Sequence, residues 1–400
     1  MHSGPKRTII LPTIIICIPS KIRRIYGLSG LFCQHAGGRG RAGTLLCGGA
    51  QLPRQRELPP SGRCRRQTAI DEATQSIARS LNVQPAEIIY TSGASEANNF
   101  ALKSIARLER HHGKHIISTP LEHSSVSGSL TALQEQGYEI DLVDIKQDGT
   151  VDLAHLRELL RPDTILVAVT AVDSELGVVQ PVTEIAALLK DYPHCHLHVD
   201  ATQAVGKLPL PSFEGIDTLS LTAHKFYGLN GIGVLVKRRG LALEPLIHGG
   251  ESTTIYRSGT PTVALACSLA LALDKALTEL PERVERVRSL NARLRTELAN
   301  YPKVRINSPE AAVPQILNLS VKDVKGTVFQ RELDAHGVCV SVKSACSSDG
   351  LPSRAVFAVS RDRRNALSSW RISLSHRTTD EEITGFLQAF DACYRTLTQP

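Results

Sequence analysis

The chain has 400 residues, 42% of them apolar and 21% charged, enough for one large domain and a smaller one, each with its own core. That composition excludes general disorder, and no apolar run reaches the roughly 18 residues of a membrane span. The formal charge of +7 is unevenly placed: residues 1–66 hold 12 Lys and Arg against Glu57 alone, so the remainder is mildly acidic.

A basic head of this kind can bind nucleic acid or an anionic membrane. This one lacks the interleaved aromatics and helical periodicity of such tails, so neither contact is expected. The nine cysteines are scattered, odd in number and form no CxxC pair. They fit a reducing cytoplasm better than a disulfide framework or a structural zinc site. Lys6-Arg7 and the run Ile9 to Ile18 imitate a signal peptide, but Pro12 and Pro19 interrupt it and no small-residue cleavage site follows. Residues 1–61 therefore read as an atypical basic head, disordered or out of frame.

From Gln67 onward the pattern is regular. A helix is predicted over Thr68–Leu81, then strand Glu87–Thr91, helix Glu96–Leu108, strand His115–Thr119 and helix Ser124–Gln136. Strand Tyr138–Val143, helix Leu153–Leu160, strand Thr164–Val172, helix Val182–Asp191 and strand His196–Val199 continue the series. Thr218–Thr222 and Gly233–Lys237 read as two further strands. Such alternation predicts an α/β fold, with a mostly parallel, seven-stranded-type sheet flanked by helices over residues 62–260. Residues 261–400 read as linking helices (Thr262–Leu277, Arg283–Leu298) and a smaller C-terminal α/β domain. Its predicted elements are strand Gln315–Val321, helix Thr327–His336, strands Cys339–Val342 and Trp370–Leu374, and helix Asp380–Leu397.

Within Thr222-Ala223-His224-Lys225-Phe226-Tyr227-Gly228, Lys225 ends a strand and can offer its amine to a cleft at the sheet's carboxyl edge. The strand His198-Val199-Asp200 delivers a carboxylate to the same edge. A lysine for a Schiff base and an acid to keep a pyridine nitrogen protonated are what pyridoxal 5'-phosphate requires. Tyr90-Thr91-Ser92-Gly93-Ala94-Ser95-Glu96 is a strand, a turn and a helix start. Ser95 is the expected cap, and the free amides there form a ready phosphate site. His123 falls at the same edge, where an imidazole can stack on the cofactor ring and shuttle protons.

In this order and spacing, the motifs TSGASEANN, HVDATQAVGKL, TAHKFYG, YRSGT and SACSS resemble the class V aminotransferase family, and within it the cysteine desulfurases of the NifS/IscS type. The resemblance begins near Gly62-Arg63 and runs to the C-terminus. It implies that Lys225 carries the Schiff base, Asp200 faces the ring nitrogen, Gln203 reaches the ring oxygen and His123 stacks on the ring. Ala94, Ser95, Thr222 and His224 would hold the phosphate, and Thr260 would complete the phosphate site of the opposite subunit, which implies a homodimer. Cys346, in Ser344-Ala345-Cys346-Ser347-Ser348, would take sulfur from L-cysteine as a persulfide and swing out on a small, polar, flexible loop from Ser347 to Leu367. No metal site is expected, although Cys346 could transiently ligate an iron–sulfur cluster. Arg371 would clamp the substrate carboxylate. An iron–sulfur scaffold or a tRNA-thiolation enzyme is the implied sulfur acceptor. Cys267, Cys339 and Cys393 are expected to pack as small apolar residues.

The chain departs from the family pattern in three places. Asp173-Ser174-Glu175 stands where Asn-Asn-Glu is usual, so Ser174 replaces a cofactor-contacting asparagine. Lys343 stands where glycine is common and should lower the Cys346 thiol pKa. The family's opening strand with its Ala-Thr-Thr-Pro segment is not found in the head. The alternatives are an aminotransferase or selenocysteine lyase, which would not depend on Cys346, and a non-catalytic sulfur-relay scaffold.

Overall fold

The computed structural model describes residues 60–210, 213–250, 253–342 and 351–398. Cys346, Lys343 and most of the basic head lie outside them. The described residues open with α1 (Pro60–Leu81), β1 (Ile88–Thr91), α2 (Ala94–Glu109), β2 (His115–Ser118), α3 (Ser124–Gln134) and β3 (Glu139–Leu142). Then come α4 (Leu153–Leu159), β4 (Thr164–Thr170), α5 (Val182–Leu188), β5 (His196–Asp200), β6 (Thr218–Thr222) and β7 (Gly233–Lys237). The seven strands form one sheet in the order β1-β7-β6-β5-β4-β2-β3, with β2 to β6 mutually parallel and β7 antiparallel to both neighbours. Every residue of β4 and β6 is buried, as expected of central strands covered by helices on both faces. β3, at the edge, is the partly exposed one.

Two long helices, α6 (Val263–Thr278) and α7 (Leu280–Leu298), lead to a second sheet. It is antiparallel, in the order β10-β9-β8, from β8 (Val304–Ile306), β9 (Ile316–Val321) and β10 (Ser369–Ser373). Helices α8 (Gly326–Ala335), α9 (Arg354–Ser360), α10 (Arg363–Ser368) and α11 (Asp380–Thr398) complete this part. Its core is aromatic: Phe329 stacks on Trp370 at 5.2 Å, and Phe390 lies 5.2 Å from Phe329 and 6.1 Å from Trp370.

Several expectations are corrected. The first described helix reaches back at least to Pro60, eight residues before the Thr68 start expected. Cys339–Val342 is not a strand. The chain leaves α8 through Gly337 in a left-handed conformation, and only Ser341 forms a bridge, to Arg371. Cys339 is consequently exposed and not packed, with Sγ 3.9 Å from Asp334 Oδ1. The described part of the stretch read as a flexible loop from Ser347 to Leu367 holds two short helices. Ser353 caps α9 by accepting from Val356 N, and Asp362 caps α10 by accepting from Arg364 N and Asn365 N. The polar residues that suggested a loop are the caps.

Phe390 has no exposure and touches both Phe329 and Trp370, so Phe390→Ala should destabilise the protein by about 3–5 kcal/mol. Denaturant unfolding followed by tryptophan fluorescence measures this directly, because Trp370 is the chain's one tryptophan; a loss below about 1 kcal/mol would contradict it.

Candidate active site

The carboxyl ends of β5 and β6 and the start of α2 open onto one cleft of about 1160 Å3, roomier than a single small ligand requires. Ala94, Ser95, His123, Ser174, Asp200, Gln203, Thr222, His224, Lys225 and Arg371 all line it. Thr260 is exposed and lies outside this lining.

Asp200 ends β5 and is buried. Its Oδ1 accepts from Thr202 N at 2.9 Å and its Oδ2 from Asn98 Nδ2 at 2.8 Å. Asn98, one turn into α2 and fully buried, is a residue the sequence reading missed. Its Nδ2 also donates to Ser125 Oγ (2.9 Å), which bonds His123 Nδ1 (2.9 Å). Its Oδ1 receives Ser220 Oγ from β6 and lies 3.0 Å from His198 Nε2. Burial holds the His198 pKa down to about 4, so the ring is neutral and donates through Nε2, while Nδ1 accepts from Thr218 Oγ1. The one signal in the sequence was an asparagine inside an apolar stripe (Ala97, Ala101, Leu102, Ile105) of an amphipathic helix.

The cap of α2 is Gly93, not Ser95. The first-turn amides of Ala94, Ser95 and Glu96 have no carbonyl one turn back, which leaves them for an anion. Thr222 Oγ1, 3.2 Å from His224 Nδ1, stands beside this row. Glu96 is also anchored, through Ser92 N at 2.7 Å and Arg257 Nε at 3.0 Å. Burial opposes its charge, but those two partners outweigh it and lower its pKa. The YRSGT loop is thereby tied to the helix start.

Lys225 sits on the single turn Ala223–Phe226 that follows β6. The turn is closed by Tyr227 in the left-handed region (φ 71), where a bulky side chain is strained. The Tyr227 hydroxyl bonds Ser375 Oγ (2.9 Å), and its ring packs against His376, Arg283 and Arg377. His123 caps α3 by accepting from Ser125 N through Nδ1, which puts the proton of its neutral ring on Nε2. Burial, with help from Lys225 and against Asp200, lowers its pKa.

Arg371 reaches from β10 of the second sheet: Nη1 donates to Ser174 O, and Nε, though buried, has no partner. Asp173, behind it, accepts from Glu175 N and Leu176 N and so shapes the turn that carries Ser174. Burial, reinforced by Glu175, pushes the Asp173 carboxyl up to about 7. Glu122, also absent from the sequence reading, is buried beside His123. Its Oε1 accepts from Thr119 Oγ1 and Thr170 N at 2.8 Å each, and Oε2 has no partner. Burial pushes it up to about 8.

This donor set fits pyridoxal 5'-phosphate. A row of unpaired amides with hydroxyls suits a phosphate, a fixed buried carboxylate suits a pyridinium, and a lysine and an imidazole share the cleft.

The class-V aminotransferase model matches residues 63–386. The chain belongs to that family, in its cysteine desulfurase branch. Its cofactor is pyridoxal 5'-phosphate. The cysteine desulfurase IscS of Dictyoglomus turgidum is 36% identical over 81% of this chain and 83% of its own. That of Proteus mirabilis is 40% identical over 79% and 78%. A solved NifS-like protein superposes with a TM-score of 0.79 at 32% identity, over 84% of this chain and 90% of that one. The match starts at residue 63, beside Gly62-Arg63 where the resemblance was expected to begin.

Two outcomes follow from this geometry. Asn98→Ala leaves Asp200 with one fixed donor and orphans His198 Nε2; it should weaken cofactor binding by about tenfold or more, measured by absorbance titration of the apoprotein. Unchanged binding by a folded variant would remove Asn98 from the site. Glu122, neutral in the folded state up to about pH 8 but ionising near 4.5 when unfolded, contributes stability that is complete below 4.5 and lost as pH rises through 8. Melting temperature should therefore fall between about pH 6 and pH 9 more steeply in the parent than in Glu122→Gln. Parallel pH profiles would contradict this.

Proposed function

We propose that this cleft converts L-cysteine to L-alanine and passes the sulfur to Cys346 as a persulfide. One observation carries the reading. The cleft unites Asp200, Lys225, His123 and Arg371, and Val342 and Leu351, the residues flanking the stretch that holds Cys346, both line it. Cys346 stands four residues after Val342 and five before Leu351, a contour of at most about 18 Å to either.

Pyridoxal phosphate on Lys225 would supply an electron sink for the bonds at the substrate α-carbon. Asp200, pinned by Asn98 and Thr202, would hold the ring nitrogen, and the first turn of α2 would hold the phosphate. Arg371 would take the substrate carboxylate on the guanidinium edge that includes its unpartnered Nε. The Lys225 amine is placed to move the α-proton, and neutral His123 to give or take one at Nε2. The Cys346 thiolate would attack the substrate sulfur. An S–S bond forms, the C–S bond breaks, and its electron pair stays on carbon and is protonated to the methyl of alanine. The exchange needs no outside oxidant.

The persulfide has then to leave for an acceptor, and an iron–sulfur scaffold or tRNA-thiolation enzyme is the proposed class. A homodimer is proposed too, supported by exposed Leu246, Ile247 and Ile255 on the same segment as Thr260. Scattered thiols support a reducing compartment, the cytoplasm. No helix among the described residues is long and apolar enough to cross a membrane.

Cys346→Ala should keep the cofactor's visible absorbance while L-alanine production from L-cysteine falls on the order of a hundredfold or more. Turnover at the parent rate, or transamination with a keto acid that ignores the substitution, would overturn the assignment.

A further inference from the structure

The opposite edge of the large sheet carries a donor cluster that the desulfurase chemistry does not use. Glu109 is the last residue of α2, His112 follows within one turn, and His194 stands two residues before β5. One ligand atom from each, a carboxylate oxygen and two ring nitrogens, lies within 4.8 Å of the other two. Glu109 Oε2 is 2.7 Å from His112 Nδ1, and the imidazoles of His112 and His194 stack with centroids 3.8 Å apart at 13°. Both histidines are exposed.

Behind them the carboxylate is fixed. Glu109 Oε1 is 3.4 Å from His196 Nε2, His196 Nδ1 is 3.3 Å from Asp217 Oδ1, and Asp217 Oδ2 accepts from Leu197 N at 2.8 Å. Glu109 is thus anchored to β5 on one oxygen, while the other meets the exposed imidazole of His112. Anchoring of a ligand carboxylate by a second polar group is the support a metal ligand needs.

We propose that Glu109, His112 and His194 bind a divalent cation of borderline softness, such as Zn2+, with water completing a tetrahedron. Donors around tetrahedral zinc sit about 3.4 Å apart, given bonds near 2.0–2.1 Å. Glu109 Oε2 and His112 Nδ1, 2.7 Å apart, must therefore open by about 0.7 Å, the wider pairs must close by up to about 1.4 Å, and the stacked rings must turn, for which the exposure of both histidines leaves room. Any proton on His112 Nδ1 moves to Nε2 as the metal takes its place. Two imidazoles and one carboxylate favour Zn2+ or Co2+ over Mg2+ and Ca2+, which demand oxygen ligands throughout. The bound ion joins the end of α2 to the start of β5, the two elements whose other ends carry the Ala94–Ser95 amides and Asp200. It stabilises the fold without entering the cleft.

The test uses the full-length, tag-free holoenzyme. Zn2+ uptake by equilibrium dialysis should be one ion per chain greater in the parent than in the double variant His112→Ala, His194→Ala, and Glu109→Gln should weaken that ion by about 10–100-fold. Co2+ should give visible d–d bands without a thiolate charge-transfer band, and the double variant should lose them. Zn2+ should raise the melting temperature of the parent alone, with all variants melting alike in chelator. Equal uptake by parent and double variant would overturn the site. So would a cobalt spectrum dominated by a thiolate band that survives the substitutions.

Discussion

A carboxylate buried at the end of a strand has to be held by fixed donors, and the active site is arranged around that requirement. Asp200 is removed from water, where an unpaired charge costs several kcal/mol. Asn98 meets the need, and in doing so commits its own oxygen to Ser220 and His198. His198 must then stay neutral, which burial ensures, and must find an acceptor's partner in Thr218. The network consequently spans α2, β5 and β6. Asn98 stands one turn from the start of α2, so the helix that fixes Asp200 is also the one whose first turn faces the cleft. The phosphate amides at Ala94 and Ser95 and the ring anchor at Asp200 are therefore positioned by one helix.

Charge around the cleft follows from the same low polarity. Glu122 and Asp173 are buried near Asp200 with one oxygen each lacking a partner, and both are pushed toward the neutral form. On the other side, burial together with Lys225 and Arg371 brings the Lys207 ammonium down to about 7. Asp200, by contrast, has a fixed donor on each oxygen, Thr202 N on one and Asn98 Nδ2 on the other.

Much of this was legible in the sequence, and the exceptions have physical causes. The parallel strands were visible because burial on both faces leaves continuous apolar runs such as Ile165 to Val169. Asp200 was visible because it ends such a run, and Lys225 because it follows one within a single turn. Asn98 and Glu122 were not, since a buried polar residue is recognisable only once its partners, far apart in the chain, are known: Asp200 for one, Thr170 for the other. Helices α9 and α10 were missed because their caps, Ser353 and Asp362, read as loop residues when the helices they start are only six or seven residues long. Cys339 was misread because alternation identifies a strand only where a neighbour is free to pair, and only Ser341 has one.

The cleft is also a seam between the two sheets. Arg371 stands on β10, but its guanidinium donates to Ser174 O, in the loop after β4. Tyr227, which closes the Lys225 turn, is held by Ser375, just beyond β10. The two contacts tie the residues that would orient the substrate to those that would hold the cofactor. Any movement of the second sheet shifts both together. Ser174 has a particular consequence here: its side chain is too short to span what an asparagine spans, and its contact with Arg371 is made by the backbone carbonyl. Asp173, by accepting from the Glu175 and Leu176 amides, shapes the turn that presents this carbonyl, so the contact depends on the backbone at 174 and not on its side chain.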